Sequence, residues 1–167
     1  MFYFGAFSVR EARMLMKQTF TLIRNKGGSG GDLDLLKMEE LCYLNMVNIL
    51  LLGKMGEIEE ANMQCLEMLS EHPNSFEVNY LGALYYHHYA RDQDKADRFY
   101  RTAISIEAEW AKTYFDYALL FKQNKDAAQF LKYLKIAFTK NPAIPRIKEM
   151  YHKFYDEEGR IRHQAVF

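Results

Sequence analysis

Three prolines divide the sequence into long stretches that favour helix. Pro73, Pro142 and Pro145 lie at the ends of such stretches and not inside them, as expected of a residue that lacks a backbone N–H and clashes with the preceding helical turn. Elsewhere the apolar residues recur at steps of three and four, and the two-residue alternation of strands is missing. The sequence therefore predicts an all-α protein.

The composition predicts one folded domain without a strong electric field. An apolar fraction of 49% and an aromatic fraction of 15% in 167 residues are enough to form a core. Lys and Arg together number 22, and so do Asp and Glu. Because no basic surface is indicated, we expect no binding to nucleic acid.

Neither the apolar runs nor the first residues indicate a membrane or secreted protein. No run approaches the roughly 20 residues that span a bilayer, and the opening residues 1–7 lack the basic region and cleavage site of a signal peptide. We therefore expect no membrane span and a cytoplasmic location. Cys42 and Cys65 are then expected to be reduced apolar residues, without a disulfide.

The N-terminal part is predicted to hold an amphipathic helix followed by a linker. Residues 1–26 contain an aromatic cluster and a helix over about residues 9–25, with Met16, Phe20 and Ile23 on its apolar stripe. Residues 27–31 are a Gly/Ser linker, either engineered or a natural glycine-rich turn. We expect the stripe to pack in cis, as a leading helix on the first repeat or as a tethered peptide in a groove.

An internal period runs from residue 33 to about residue 141. Its first copy is the turn and helix start at residues 56–61, which ends at Pro73. The second copy contains Leu81, Gly82, Tyr85, Ala96, Tyr100 and Ala103. The third contains Tyr114, Tyr117, Ala118, Phe121, Leu134, Ala137 and Pro142. This order of small, aromatic and proline residues resembles the tetratricopeptide repeat family.

The resemblance implies stacked helical hairpins that form an α-α superhelix. Three repeats are expected over residues 32–144. Residues 145–167 are expected to form a capping helix, of about residues 145–157, and a tail. Gly82 is expected where two helices approach closely. Two departures are notable. The second unit is longer between Gly82 and Ala96, which predicts an extended helix or looser turn near residues 91–93. Phe130 replaces a small residue in the third unit, and we expect it to push that hairpin apart or to redirect its packing.

In this family the first helices of the hairpins line a concave groove, and here they present a largely apolar face. The predicted groove residues are Tyr43, Met46, Leu50, Phe76, Asn79, Ala83, Tyr86, Lys112, Phe115 and Leu119. Taken singly, each aromatic residue among them is also compatible with core packing. Family members that grip acidic chaperone tails use a carboxylate clamp of lysines, arginine and asparagines. Here only Lys112 matches it, and the other places hold Met46, Leu50, Tyr80 and Asp116, so that ligand is not expected.

The resemblance implies a protein-protein interaction module or adaptor, within a larger assembly, that binds an apolar helical or extended segment of a partner. The alternative is a cytosolic chaperone of a type III-like export system. Tyr86 and Phe115 are the predicted anchors, and Glu59 is predicted to be neutral for binding.

Motifs for catalysis, cofactors and metals are missing. The sequence has no nucleophile elbow, phosphate loop or dinucleotide fingerprint. His87 and His88 are adjacent, and adjacent helical residues point about 100° apart, so a shared metal is not expected. We expect surface or helix-end histidines, no cofactor, no metal and no enzymatic activity.

Overall fold

A computed structural model describes residues 31–162 together with Met14 and Gln18, and for residues 31–41 it describes the backbone alone. Within residues 31–162 the protein folds into seven α-helices and has no β-strand, which confirms the all-α prediction. The helices are α1 (Gly31–Met55), α2 (Ile58–Glu71), α3 (Phe76–Tyr85), α4 (Gln93–Ile106), α5 (Ala111–Gln123), α6 (Ala127–Lys140) and α7 (Pro145–Phe154). None of the helices in this part of the chain has the length and apolar character that crossing a bilayer requires.

The N-terminal predictions fall largely outside the described residues. This applies to the aromatic cluster, to most of the helix over residues 9–25 and to residues 27–30 of the linker. Met14 and Gln18 are helical and exposed. Gly31, the last residue of the predicted linker, already belongs to α1.

The helices repeat at nearly constant spacing. The second helix of each hairpin starts at Ile58, Gln93 or Ala127, which are 35 and 34 positions apart. Helices α3, α5 and α7 start at residues 76, 111 and 145, with the same two spacings. The third, seventh and tenth residues of α3, α5 and α7 are buried in all three: Val78, Gly82 and Tyr85; Thr113, Tyr117 and Leu120; Ile147, Tyr151 and Phe154. Helix α7 therefore has the burial pattern of a further first helix.

The turn inside each hairpin has one design. A residue with positive φ, namely Gly56, Arg91 or Lys125, ends the first helix. An acidic residue then stands at the N-cap of the second helix. In the second and third hairpins this carboxylate accepts a hydrogen bond from the backbone N–H three residues later, at 3.0 Å. Such a cap satisfies an N–H that the helix itself leaves without a partner.

Helix α3 continues into a π-helix, Tyr86–Ala90, before the turn of the second hairpin. The N–H of Asp92 bonds to the carbonyl of Tyr86, six residues back, whereas the corresponding bond in the third hairpin runs from Asp126 to Phe121, five residues back. A π-helix accommodates one extra residue within a helix. The predicted extension of the second unit is therefore an extended helix.

Glycines mark two contacts between helices. A Cβ added at Gly82 would lie 3.5 Å from Leu69, an ordinary contact, so Gly82 does face α2 but not at the closest approach. A Cβ added at Gly53 would lie 2.7 Å from Cγ of Tyr89, closer than side chains pack. Of these two contacts the closer one is therefore between α1 and the π-helix, at a glycine that the repeat pattern did not identify.

Phe130 does not force the third hairpin apart. It is fully buried in α6 and meets Phe154 of α7 edge to face, with ring centroids 5.0 Å apart. Helices α5 and α6 nonetheless make the most extensive contact between any two helices of residues 31–162. Of the two effects expected from this residue, the structure has the redirected packing, toward α7.

The C-terminal helix is shorter than predicted, because α7 ends at Phe154 and not near residue 157. Past that point the chain turns back through Gly159, which has a φ of 73°. The N–H of Arg162 then bonds to the carbonyl of Phe154 at 2.9 Å. This return competes with further helical hydrogen bonds and ends the helix.

Candidate functional site

The first helices of the hairpins, together with α7, share one surface. Trp110, which precedes α5, packs on Phe76 of α3 with ring centroids 4.7 Å apart. Arg146 of α7 lies over the ring of Phe115 of α5, with its guanidinium 5.4 Å from the centroid. Tyr43 of α1 is close enough to Tyr80 of α3 to contribute to its raised pKa. We call this surface the first-helix face and define it by Tyr43, Tyr80, His88, Trp110, Lys112, Asp116 and Arg146.

A hydrogen-bonded triad lies at the centre of the first-helix face. The hydroxyl of Tyr80 donates to Oδ2 of Asp116 at 2.6 Å, and the ammonium group of Lys112 donates to the same oxygen at 3.1 Å. Lys112 also donates to the hydroxyl of Tyr80. Lys112 and Asp116 are one helical turn apart on α5, so they face the same way. The triad therefore links α3 to α5, and the ammonium group of Lys112 is engaged in it.

Burial controls the protonation of Tyr80. Desolvation raises the pKa of this phenol well above its usual range, and the neighbouring carboxylate of Asp116 raises the pKa further. The phenol therefore keeps its proton at any ordinary pH and stays a donor to Asp116. Both Tyr80 and Asp116 are buried, while the Lys112 side chain is about half exposed. Of the three, only Lys112 is accessible from solvent.

An exposed indole lies beside the triad on a buried aromatic base. The rings of Phe76 and Tyr80 are nearly parallel, with centroids 5.7 Å apart, and both side chains are buried. Trp110 contacts both rings but remains 45% exposed. A large ring that is held from below and open above is typical of residues that dominate protein interfaces. Trp110 is also the only tryptophan of the chain.

The two histidines of the π-helix are arranged differently from the prediction. The expectation of surface or helix-end positions is wrong for His87, which is only 2% exposed. The two rings stack, with centroids 4.0 Å apart, instead of pointing away from each other. The inserted residue turns His87 into the core, where Nδ1 lies 3.0 Å from the hydroxyl of Tyr100.

The environment of His87 keeps the imidazole neutral. Burial lowers its pKa to about 4, and the adjacent His88 also lowers it. Its Nε2 atom is buried and makes no hydrogen bond, although the side chain of Gln123 lies near enough to raise the pKa. The pKa of exposed His88 is lowered too, chiefly by desolvation. Among the described residues, no three His, Cys, Asp or Glu side chains are grouped to hold a metal ion.

The ten predicted groove residues separate into three sets. Six are buried: Met46, Phe76, Asn79, Ala83, Tyr86 and Phe115. Leu50 and Leu119 are half-buried, and Tyr43 and Lys112 are exposed. The buried set packs between helices or is hydrogen-bonded internally; the Tyr86 hydroxyl, for example, donates to the side chain of Asn62 at 2.9 Å. For these six the alternative interpretation, core packing, describes their position.

Sequence reasoning missed most of the first-helix face. Trp110 was missed because it lies before the start of α5, outside the helical steps used to trace the groove. Tyr80 and Asp116 were considered only as mismatches to a carboxylate clamp. Arg146 belongs to α7, which was treated as a cap. In the sequence, Ile147, Tyr151 and Phe154 lie 34 positions after residues 113, 117 and 120 of α5, and this spacing is the signal that could have placed Arg146 on this face.

The two cysteines make no disulfide. Cys65 is buried, and desolvation raises the pKa of its thiol to about 12. Burial also raises the pKa of the half-buried Cys42, as do the nearby carboxylates of Glu77 and Glu71. Because the thiolate is the reactive form, both thiols are poor nucleophiles at neutral pH.

Comparison of the chain with known protein families finds no family model that matches, and a search of the curated proteins finds no significant relative.

Proposed function

We propose that the chain is a tetratricopeptide-like superhelix of stacked hairpins that binds a segment of a partner protein on the first-helix face. The repeat interpretation is supported by the spacing of 35 and 34 residues between equivalent helix starts. It is also supported by the common turn design of the hairpins, because repeated units of this length are typical of helical solenoids.

The observation that carries the binding proposal is the exposed indole of Trp110 on its buried base. Its supporting rings, Phe76 and Tyr80, come from the preceding hairpin. Because residues of two hairpins hold the Trp110 ring in place, little side-chain entropy of Trp110 is lost when a partner binds. The exposed aromatic ring of Tyr43 extends the same surface toward α1.

The chemistry of the face favours an apolar helical or extended segment as the ligand. Lys112 is already bonded to Asp116 and Tyr80, so it is not available to hold a terminal carboxylate unless this pairing breaks. The carboxylate of Asp116 is likewise engaged and buried, which makes it unsuited to proton transfer with a substrate. We therefore propose recognition through the aromatic rings, as an adaptor or assembly subunit and not as an enzyme.

The anchors proposed here differ from those expected from the sequence alone. Phe115 and Tyr86 are buried, so replacing either with alanine should lower the stability of the fold. A loss of affinity in those variants would not identify a contact with the partner. Trp110 and Tyr43 are the informative positions, because their exposed rings can be removed with little disturbance of the core.

The experiment selects ligands from a random peptide library on the folded protein and measures their affinity through the fluorescence of Trp110 and by calorimetry. We expect Trp110→Ala, measured by calorimetry, to weaken binding by about 1–3 kcal/mol, as for an interface anchor. Tyr43→Ala should weaken it less, and Glu59→Ala on α2 is the matched surface control. Peptides that bind Trp110→Ala and the unchanged protein equally would contradict the proposal.

A further inference from the structure

Helix α2 carries an exposed stripe that differs from the same positions of the other second helices. Met63 is 65% exposed and Leu66 is 45% exposed. The equivalent residues, displaced by 35 and then 34 positions, are Arg98 and Arg101 in α4 and Lys132 and Lys135 in α6. All four of those residues are exposed cations. The first hairpin therefore has an apolar pair where the repeat otherwise has two positive charges.

The charged residues of α2 itself are all negative. Within α2 the acidic residues are Glu59, Glu60, Glu67 and Glu71, and the helix contains no Lys or Arg. Glu59, Met63, Leu66 and Glu67 are all exposed and fall within about 100° of the helix circumference. We call these four residues the α2 stripe. It suits a helix that presents apolar side chains flanked by cations.

The sequence predicts such a helix in the part that precedes α1. Residues 9–25 include four cations, Arg10, Arg13, Lys17 and Arg24, and one acid, Glu11. Their apolar stripe contains Met16, Phe20 and Ile23. Met14 and Gln18, the two described residues of this segment, are helical and exposed, and their helical phase is opposite to that stripe.

The segment is long enough to reach the α2 stripe. Helix α2 runs antiparallel to α1, and Glu71 near its end lies close enough to Cys42 to raise the pKa of that thiol. Gly31 is eleven residues before Cys42, which is about 16 Å along α1. Leu66 is five residues before Glu71, so it lies about 8 Å beyond the level of Cys42 as seen from Gly31. A helix of residues 9–25 is itself about 24 Å long, and five linker residues add up to about 17 Å.

We propose that residues 9–25 bind in cis to the α2 stripe of the first hairpin. The apolar stripe of the segment covers Met63 and Leu66, and its cations face Glu59 and Glu67. This surface is separate from the first-helix face, so the inference does not depend on the proposed function.

The test is hydrogen exchange of residues 9–25, followed by mass spectrometry, in the whole protein. The test variant is Met63→Gln with Leu66→Gln, and the matched control is Lys132→Gln with Lys135→Gln at the equivalent exposed positions of α6. A synthetic peptide of residues 1–26 gives the exchange rate of the undocked segment. All four replaced side chains are exposed, so the fold should be kept, which circular dichroism checks.

We expect exchange over residues 9–25 to be at least about tenfold slower than in the peptide, both in the unchanged protein and in the control, since a helix this short is marginal alone. The Met63 and Leu66 replacements should bring the rate back to that of the peptide. Slow exchange that survives these replacements would place the segment elsewhere and overturn the proposal. Peptide-like exchange in the unchanged protein would also overturn it, as would protection seen only where sedimentation detects a dimer.

Discussion

The second and third hairpins have the same turn geometry but bury different residues. Arg91 and Lys125 have φ values of 57° and 60°, and the Asp that follows each caps the next helix at 3.0 Å. The second hairpin has one more residue before its turn, which the π-helix takes up. An insertion was thus absorbed without changing the turn, and its consequence is a histidine in the core.

The second helices of these hairpins carry residues of very different size at the buried position near their start. Ala96 in α4 and Phe130 in α6 are equivalent, 34 residues apart, and both are fully buried. Within residues 31–162, α7 is the only helix after the third hairpin, and Phe130 packs against its Phe154. A small residue suits a hairpin covered by another hairpin, whereas a large one suits the contact with a single terminal helix.

The largest effect that would test this comparison is expected from Phe130→Ala. The change leaves a cavity between α6 and α7 and should lower the free energy of unfolding by about 3–5 kcal/mol, as for other buried phenylalanines. Urea unfolding followed by circular dichroism measures it. A loss below about 1 kcal/mol would mean that Phe130 does not support α7.

A pH dependence should distinguish the second hairpin from the third, because only the second buries a histidine in its first helix. The pKa of His87 is about 4 in the folded protein and near 6.5 in the unfolded chain. Between these values only the unfolded chain binds the proton, so the stabilisation present above pH 6.5 is lost as the pH falls toward 4.

We expect His87 to account for roughly 2–3 kcal/mol of the fall in stability between about pH 7.5 and about pH 4.5. His87→Gln should flatten the profile by this amount, measured by urea unfolding at both pH values. The control is His152→Gln, because the His152 side chain of α7 is exposed. Identical profiles for the unchanged protein and His87→Gln would show that His87 is not buried in the neutral form.

The smallest effect tests which glycine contact is the closer one. Gly53→Ala should cost about 1–3 kcal/mol, because the new methyl group meets the stem of Tyr89 in the π-helix at 2.7 Å. Gly82→Ala should be neutral or stabilising by up to about 1 kcal/mol, since its methyl group finds ordinary contacts and alanine favours helix. Gly82→Leu should still overpack against Leu69. Thermal unfolding ranks the three variants, and equal costs for the two alanine variants would contradict this ranking.

Part of the candidate site was readable from the sequence. Tyr43 and Lys112 are predicted groove residues and are exposed, at helical steps that local periodicity can trace. Met46, Tyr86 and Phe115 were traced by the same steps but are buried. Periodicity shows which residues share a helix side, whereas the distance to the next hairpin decides whether that side meets protein or solvent.

The sequence by itself determined the helices, because the spacing of apolar residues and the position of proline act within a few residues along the chain. It also indicated Ala96, Tyr100 and Ala103 as packing positions of the second unit, and all three are buried in α4. Only the tertiary structure decided that the exposed ring of Trp110 lies on a buried aromatic base, that His87 enters the core and that Gly53 makes a closer helix contact than Gly82. Each of these depends on how residues far apart in sequence pack, which no local pattern encodes.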